Sequence, residues 1–409
     1  MPALPRITAA ERRARLVRRH LLTASTRVTT PLEAADALLA LHATDPATVF
    51  LAAAARMRAP TVAAIDRALY DAASGTSGDD RPPAPALERI RCMRRTMFVL
   101  PAALAPSVRS ATVKDSRRHR ADALTRLHEA LGWDERRYAT VEQAALDAIT
   151  ARGEVTAAQL AVDVPALREQ IVTFPGKPYE SRQRVSSPVL GALAAEGRIR
   201  RGRPAGSWTS AQFRWAPAQP LPEVPPAEAR ATLARHYLAA FGPVTVDDLK
   251  WWTGWTLTDA RTAVAAVGAQ AVELDEGTGY LLPGDLEPPA DDEPGAALQP
   301  SLDPTAMGWR HRHWYLDPDH TAALFDCNGN IGPTVWWNGR VIGAWAQDSE
   351  GRVNHHLLAD PGRAARAAVE EEAARLAAFL ADTRVTPCYR TPLERRLAAS
   401  GGKALTGGA

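Results

Sequence analysis

The residues best suited to chemistry stand in one short stretch, Leu41-His42-Ala43-Thr44-Asp45-Pro46, at a turn between two apolar helical segments. An imidazole, a hydroxyl and a carboxylate this close together can orient a water molecule, take its proton, or stabilise positive charge developing on a substrate. His42 ranks first as the acid/base or water-positioning group, Asp45 second as its partner across the tight turn, and Thr44 third as a hydroxyl that holds water. Each also has a structural use. Asp45 before Pro46 makes a well-formed helix N-cap. His42 follows a helix C-terminus, where an imidazolium is favoured by the dipole, and Thr44 can satisfy a backbone group in the turn.

Other chemistries are excluded by spacing. Asp326-Cys-Asn328-Gly-Asn330 begins like a calcium loop, but Ile331 and Trp337 fill the positions that need Gly and a bidentate Glu, so a tight turn on Gly329 and Gly332 is expected instead. His311, His313, His320, His355 and His356 have no zinc-like spacing. Cys92, Cys327 and Cys388 are odd in number and far apart, which argues against disulfides or a zinc knuckle. There is no Walker loop and no dinucleotide fingerprint. No metal and no cofactor are expected.

The elements that must position the turn are written in a repeated plan. Residues 140–216 run through an apolar helix, Glu154-Val-Thr-Ala-Ala-Gln159, a second helix from Ser187-Pro188 to Gly197, and a basic stretch closing on Phe213-Arg-Trp215. Residues 229–283 repeat it: a helix to Phe241, Gly242-Pro-Val-Thr245-Val-Asp-Asp248, a helix opened by Thr256-Leu-Thr-Asp259, and two short strands around Asp275-Glu-Gly-Thr-Gly279. Three helices followed by a β-hairpin is the winged-helix plan, used mostly on DNA. A modified first copy is expected at the N-terminus. There, Thr8-Ala-Ala-Glu11 and Thr30-Pro31-Leu-Glu33 are capping boxes, and Asp45-Pro46 opens a helix through Arg58. Ala72 to Pro85 reads as a loop and Arg94 to Leu100 as a strand.

Beyond the acidic, Pro/Gly-rich stretch Gly284–Ala297 the pattern turns to β. Strands are expected at Ala322–Phe325, Thr334–Trp337, Arg340–Trp345 and Val353–Leu358, with a type I′ turn at Asn338-Gly339. A helix at 361–381 and a last strand at Arg384–Tyr389 complete the plan. The expected fold class is α+β, three tandem winged-helix modules followed by a β-rich domain, with boundaries at 1–139, 140–225, 226–290 and 291–409.

Charge narrows the partner. The net charge of +3 is mild, but Lys177, Arg182, Arg184, Arg198, Arg200, Arg201 and Arg203 crowd one stretch against only Glu180 and Glu196. That stretch coincides with the expected recognition helix and wing, so phosphate contact is expected. No run of eighteen apolar residues exists, so no membrane span is expected, nor is a secretory leader. A cytoplasmic, nucleoid-associated monomer follows, since the repeats are internal and no dimerisation helix stands out. Trp309, Trp314, Trp336, Trp337 and Trp345 cluster in the β-region. Trp309, Trp336 and Trp337 are candidates to stack on a ligand in a cleft, with core packing the competing use.

Several segments together resemble a known family. Arg15 to Leu22, Leu39-Ala-Leu-His42-Ala-Thr-Asp-Pro46 to Leu51, Arg94-Arg-Thr-Met-Phe98, Leu302 to Trp309 and Leu324-Phe-Asp-Cys-Asn-Gly-Asn-Ile-Gly-Pro-Thr334 are similar, in order, to the AlkZ/YcaQ group of winged-helix DNA glycosylases. The resemblance implies three tandem winged helices with a β-domain forming a concave surface for double-stranded DNA. It also implies hydrolysis of the N-glycosidic bond of bulky or cationic N7-alkylguanines, sometimes including crosslinks, and in some relatives self-resistance to a DNA-alkylating antibiotic. The family's catalytic pair is Gln-x-Gln or Gln-x-Asp where this chain has His42-Ala43-Thr44, so His42 replaces the first Gln and Thr44 the second polar group. A non-catalytic winged-helix DNA binder, such as a regulator or lesion sensor, is the alternative.

Overall fold

Side-chain caps start most of the helices where the sequence places them. The computed structural model describes residues 3–71, 85–173, 176, 180–290 and 293–400. Thr8 caps α1 (Ala9–Arg19), and Thr30 and Glu33 form a reciprocal capping box on α2 (Pro31–Ala37). A two-residue strand, β1 (Leu41–His42), leads into α3 (Pro46–Arg56), capped by Asp45, and Thr61 caps α4 (Val62–Tyr70). β2 (Leu87–Arg91) and β3 (Met97–Pro101) form a hairpin, and β1 adds to its far edge in the order β1-β3-β2. The Ala72–Pro85 loop lies outside the described residues up to 84.

After α5 (Ala105–Ala111) and the long α6 (Val113–Leu131) comes the second unit. It comprises α7 (Glu135–Arg152), β4 (Val155–Thr156), α8 (Ala157–Asp163), the pair β5 (Gln170–Thr173) and β6 (Ser181–Arg184), α9 (Ser186–Ala195), β7 (Ile199–Pro204) and β8 (Phe213–Pro217). β4 pairs with β8, giving the order β4-β8-β7. The third unit is plainer: α10 (Pro226–Phe241), α11 (Val246–Thr253), α12 (Leu257–Ala266) and the hairpin β9 (Gln270–Leu274)–β10 (Gly277–Leu281). Last come β11 (Ala296–Gln299), α13 (Pro304–Met307), α14 (Thr321–Leu324), β12 (Thr334–Trp337), β13 (Arg340–Gln347), β14 (Val353–Leu357), α15 (Arg363–Leu380) and α16 (Pro392–Ala399). The four strands form an antiparallel sheet in the order β11-β12-β13-β14. Asn338 (φ 47°) and Gly339 (φ 73°) make its tightest turn, where both residues must be left-handed.

Two expected strands are replaced and a third is shortened. Ala322–Phe325 is mostly helical, because Asp317 caps a turn begun by Pro318 that runs on into α14. The expected strand at Arg94 starts only at Met97, because Arg94 and Arg95 turn the chain in left-handed conformations. Arg384–Tyr389 does not join the sheet. Its backbone N–H groups are taken by side chains instead, Val385 donating to Gln347 Oε1 and Cys388 to Asp45 Oδ2.

The cores show how the units depend on one another. Residues 123–215 have a cluster of their own around Trp133, Tyr138, Leu160 and Leu193. The largest cluster instead runs from Leu16 of α1 through Phe98, Tyr237 and Trp252 to Trp309 and Trp336. The N-terminal segment, the third unit and the C-terminal sheet therefore fold as one continuous apolar mass. α3 is buried along its whole length between two further clusters, Val49, Phe50 and Ala52 packing with the β2–β3 hairpin and Ala47 and Leu51 with the C-terminal sheet. Its last residue, Arg56, is fully buried, and every guanidinium nitrogen is used. Nε donates to His20 O, and Nη1 and Nη2 together hold Asp303, Gln299 Oε1, Thr305 Oγ1 and Ala52 O. A buried charge is tolerable only when paired and saturated in this way.

Candidate active site

The His42–Asp45 turn is fixed on three sides. His42 lies opposite Phe98 in the β1–β3 register, and the two rings meet edge-on at 5.1 Å. The Ala43 N–H donates to Met97 O at 2.8 Å, and Ala43 O accepts from Arg89 Nη1 at 3.2 Å. The Thr44 N–H reaches back to His42 Nδ1 at 3.5 Å, a contact too long to fix the ring's tautomer. His42 is 7% exposed. Burial first, and then the nearby Arg94 guanidinium, push its pKa down to about 4, against a smaller opposing pull from Asp303. The imidazole is therefore neutral at physiological pH and keeps a lone pair able to accept a proton. Thr44 is partly exposed, and its hydroxyl makes no hydrogen bond among the described residues.

Asp45 is differently employed. Oδ1 accepts the Ala47 N–H at 3.0 Å, capping α3, and Oδ2 accepts the Cys388 N–H at 2.9 Å, tying the turn to the C-terminal segment. Both oxygens are occupied by backbone donors, and neither bonds to His42. The structure thus brings His42 and Thr44 together and leaves Asp45 as an anchor.

Arg94, whose charge reaches His42, lines a strongly basic cleft. One hollow of about 400 Å³ is lined by Arg91, Arg94, Arg95, His119, Arg126 and Ser187. A second, of about 450 Å³, shares Arg91 and Ser187 with it and continues past Arg184, Arg201, Phe213 and Trp215. Burial first, and then Arg91, Arg126 and Arg95, push the His119 pKa down to about 4, against a smaller opposing pull from Asp122. Sequence reasoning missed Arg91, Arg94, Arg95 and Arg126 as site residues. The signal was available, since Arg89-Ile-Arg91-Cys-Met-Arg94-Arg95 concentrates four arginines in a hairpin.

The residues expected to grip phosphate divide into groups. Arg182 and Arg184 are exposed on β6, and Arg198 is exposed while pairing with Glu142 at 3.3 Å. Arg200 is partly buried beside Glu88 and Arg109. Arg201 packs over Phe213 and Trp215, and burial together with Arg89 and Arg91 lowers its pKa to about 10. Arg203 bridges units, bonding Asp66 and Asp71 of the α4 region. Lys177 lies outside the described residues.

Trp309 and Trp336 are corrected to core residues. Both are buried, with Nε1 of Trp309 donating to Phe241 O and that of Trp336 to Thr334 Oγ1, so neither ring face is open to a ligand. Trp337 is half-buried against the sheet's outer cluster. Among the described residues no group of three or more His, Cys, Asp and Glu could hold a metal ion, and no helix is long and apolar enough to cross a membrane.

Comparison with known proteins places this arrangement. A structure of the DNA glycosylase AlkZ from Streptomyces sahachiroi matches with a TM-score of 0.66 over 93% of this chain and 98% of that one, at 20% identity, a likeness of fold. An interstrand DNA cross-link repair glycosylase of the same organism is 32% identical over 169 residues, 38% of this chain, and the match spans 44% of that relative's length. The model of the AlkZ-like DNA glycosylase family matches residues 35–379. That span takes in the His42 turn, the arginine hairpin and the C-terminal sheet, and the chain belongs to the AlkZ-like family of DNA glycosylases.

Proposed function

We propose that this protein is a monofunctional DNA glycosylase that hydrolyses the N-glycosidic bond of bulky or cationic N7-alkylguanines in duplex DNA. The observation that carries this reading is a buried, neutral His42 within electrostatic reach of Arg94, which lines an arginine-rich cleft. An N7-alkylated guanine is already a cationic leaving group, so the enzyme needs to supply little beyond an oriented water and a tolerant electrostatic setting. A neutral imidazole accepts a hydrogen bond from the attacking water and orients it as the sugar becomes oxocarbenium-like, where an imidazolium would repel the lesion. Thr44, with its hydroxyl uncommitted, holds the same water. Asp45 keeps the turn in place through its two backbone bonds. No lysine nucleophile enters, so the product is an intact abasic site.

Double-stranded DNA is gripped through the exposed Arg182, Arg184 and Arg198, together with Arg200, as phosphate contacts. The three-helix-and-hairpin plan of residues 135–217 and 226–281 supports the reading of tandem winged helices, with a modified copy in front. The name of the Streptomyces relative, an interstrand cross-link repair glycosylase, supports bulky substrates, and self-resistance to a DNA-alkylating antibiotic is the role we propose with them. Internal repetition supports a monomer acting at one locus.

The test is release of free base from duplexes carrying N7-methylguanine or a bulkier N7 adduct, read as alkali-labile abasic sites. Release without strand nicking before alkali, and without trapping by borohydride, is expected. DNA binding with no release from any adduct would favour the lesion-sensing alternative.

A further inference from the structure

Arg94 is placed at considerable cost, with no ion-pair partner among the described residues. It and Arg95 adopt left-handed backbone conformations, φ 50° and 62°, at the tip of the β2–β3 hairpin, where residues with a Cβ are strained. The tip is docked on the C-terminus of α11. There Gly254 takes the left-handed φ of +79° that favours glycine, and the site of its missing Cβ is in van der Waals reach of Arg94, 3.4 Å from Cγ. The Arg94 guanidinium lies flat over Trp251 at 4.3 Å, and Arg312 stands over the same ring at 5.0 Å. Among the described residues Arg94 has no carboxylate partner and no hydrogen bond, and its Nε is buried and unsatisfied. By contrast, Arg95 is paired with Asp122 and Arg56 with Asp303. Arg94 also lines the 400 Å³ basic hollow and acts electrostatically on His42.

An unpaired guanidinium beside the site of reaction opposes the chemistry proposed above. A cationic guanine enters there and positive charge grows on the sugar, so the free enzyme's charge at Arg94 has the wrong sign. The conflict disappears if the substrate itself brings an anion to Arg94. A DNA backbone phosphate is that anion, since every nucleotide carries one a few bonds from its glycosidic carbon. Guanidinium binds phosphate with two parallel N–H donors.

We propose that Arg94 is the seat of a backbone phosphate flanking the excised nucleotide, with Arg91, Arg95 and Arg126 forming the rim, so that the DNA neutralises the site as it docks. This rests on the glycosylase reading for its chemical purpose, but its binding arm does not require excision. Arg94 is a positioning residue here, held by Trp251 and Gly254 rather than by a carboxylate.

The experiment uses the full chain and duplexes holding a tetrahydrofuran abasic analogue. A single methylphosphonate, which removes one phosphate charge, is walked through the flanking positions. One position is expected to weaken wild-type binding roughly 10- to 100-fold, the loss of one charge-assisted contact. Arg94→Gln is expected to bind the ordinary duplex as weakly as that, and to be insensitive to the methylphosphonate at that position. Arg94→Lys should recover part of the affinity and part of the sensitivity. Equal sensitivity of wild type and Arg94→Gln at every position would overturn the proposal. So would a wild-type scan with no sensitive position, which also decides the matter if Arg94→Gln does not fold. If wild type shows the sensitive position and Arg94→Gln lacks it, yet wild type releases no base from N7-alkylguanine, the phosphate seat stands and the glycosylase reading fails.

Discussion

Replacing Asp45 separates anchoring from chemistry at the candidate active site. Its two carboxylate oxygens accept backbone N–H groups of Ala47 and Cys388 at 3.0 and 2.9 Å, and the residue is 5% exposed. Asp45→Asn keeps one acceptor oxygen and turns an amide NH₂ toward the other donor, leaving one buried N–H unsatisfied at a cost of about 1–3 kcal/mol. Asp45→Ala loses the cap as well, worth ~1 kcal/mol, for a total of about 2–4 kcal/mol. Denaturant unfolding should rank the proteins wild type, Asn, Ala in falling stability. Single-turnover base release, run well below the melting temperature, should be nearly unchanged in Asp45→Asn. A general base or charge-stabilising carboxylate contributes about 100-fold or more. A loss of that size in Asp45→Asn with an unchanged unfolding midpoint would refute the anchoring account and return Asp45 to the chemistry.

Other outcomes follow from the same coordinates. His42 and His20 are held neutral in the folded protein, with pKa values below the ordinary 6.5. Their contribution to stability is therefore complete above pH 6.5 and is lost as pH falls toward the folded values, because only the unfolded chain takes up the protons. For His42 (6.5 to about 4) the limit is about 3 kcal/mol. Melts from pH 7 to 4.5 should show a shallower decline in His42→Gln, and equal slopes would contradict the burial argument. Arg182→Ala and Arg184→Ala should each flatten the dependence of log affinity on log salt by about 0.9. Arg203→Ala, whose charge is spent on Asp66 and Asp71, should leave that slope alone, as salt titrations by anisotropy will show. Asp303→Asn strands the fully buried Arg56 and should cost about 3–5 kcal/mol in denaturant unfolding.

Local rules made much of this molecule legible from its residues. Thr8, Thr30, Thr245 and Thr256 cap helices where their spacing to Glu or Asp indicated, and Asp45 does so just before Pro46. Asn338-Gly339 turns the sheet as a left-handed pair must. Reading failed where a turn was made without turn residues. Arg94 and Arg95 bend left-handed with Arg94 lodged against Gly254 and Trp251, a tertiary arrangement invisible in the local pattern. The strand expected at Arg384–Tyr389 failed likewise, since its N–H groups answer to Asp45 and Gln347 rather than to a neighbouring strand. At the site, adjacency in sequence suggested a His42–Asp45 pair, but the cap geometry that makes Asp45 a good N-cap turns its carboxylate toward its own helix. Tryptophan type alone could not tell a stacking face from core packing, and the packing in which Trp309 and Trp336 are enclosed is assembled from distant segments.

The central claim is that a neutral His42 activates the water that releases the base. It is tested most directly by single-turnover excision of N7-methylguanine from duplex DNA, with wild type and His42→Ala compared at saturating enzyme and DNA affinity measured in parallel. The account predicts release by wild type, loss of about 100-fold or more in the variant, and affinity nearly unchanged. Undiminished release by a folded His42→Ala protein would contradict it.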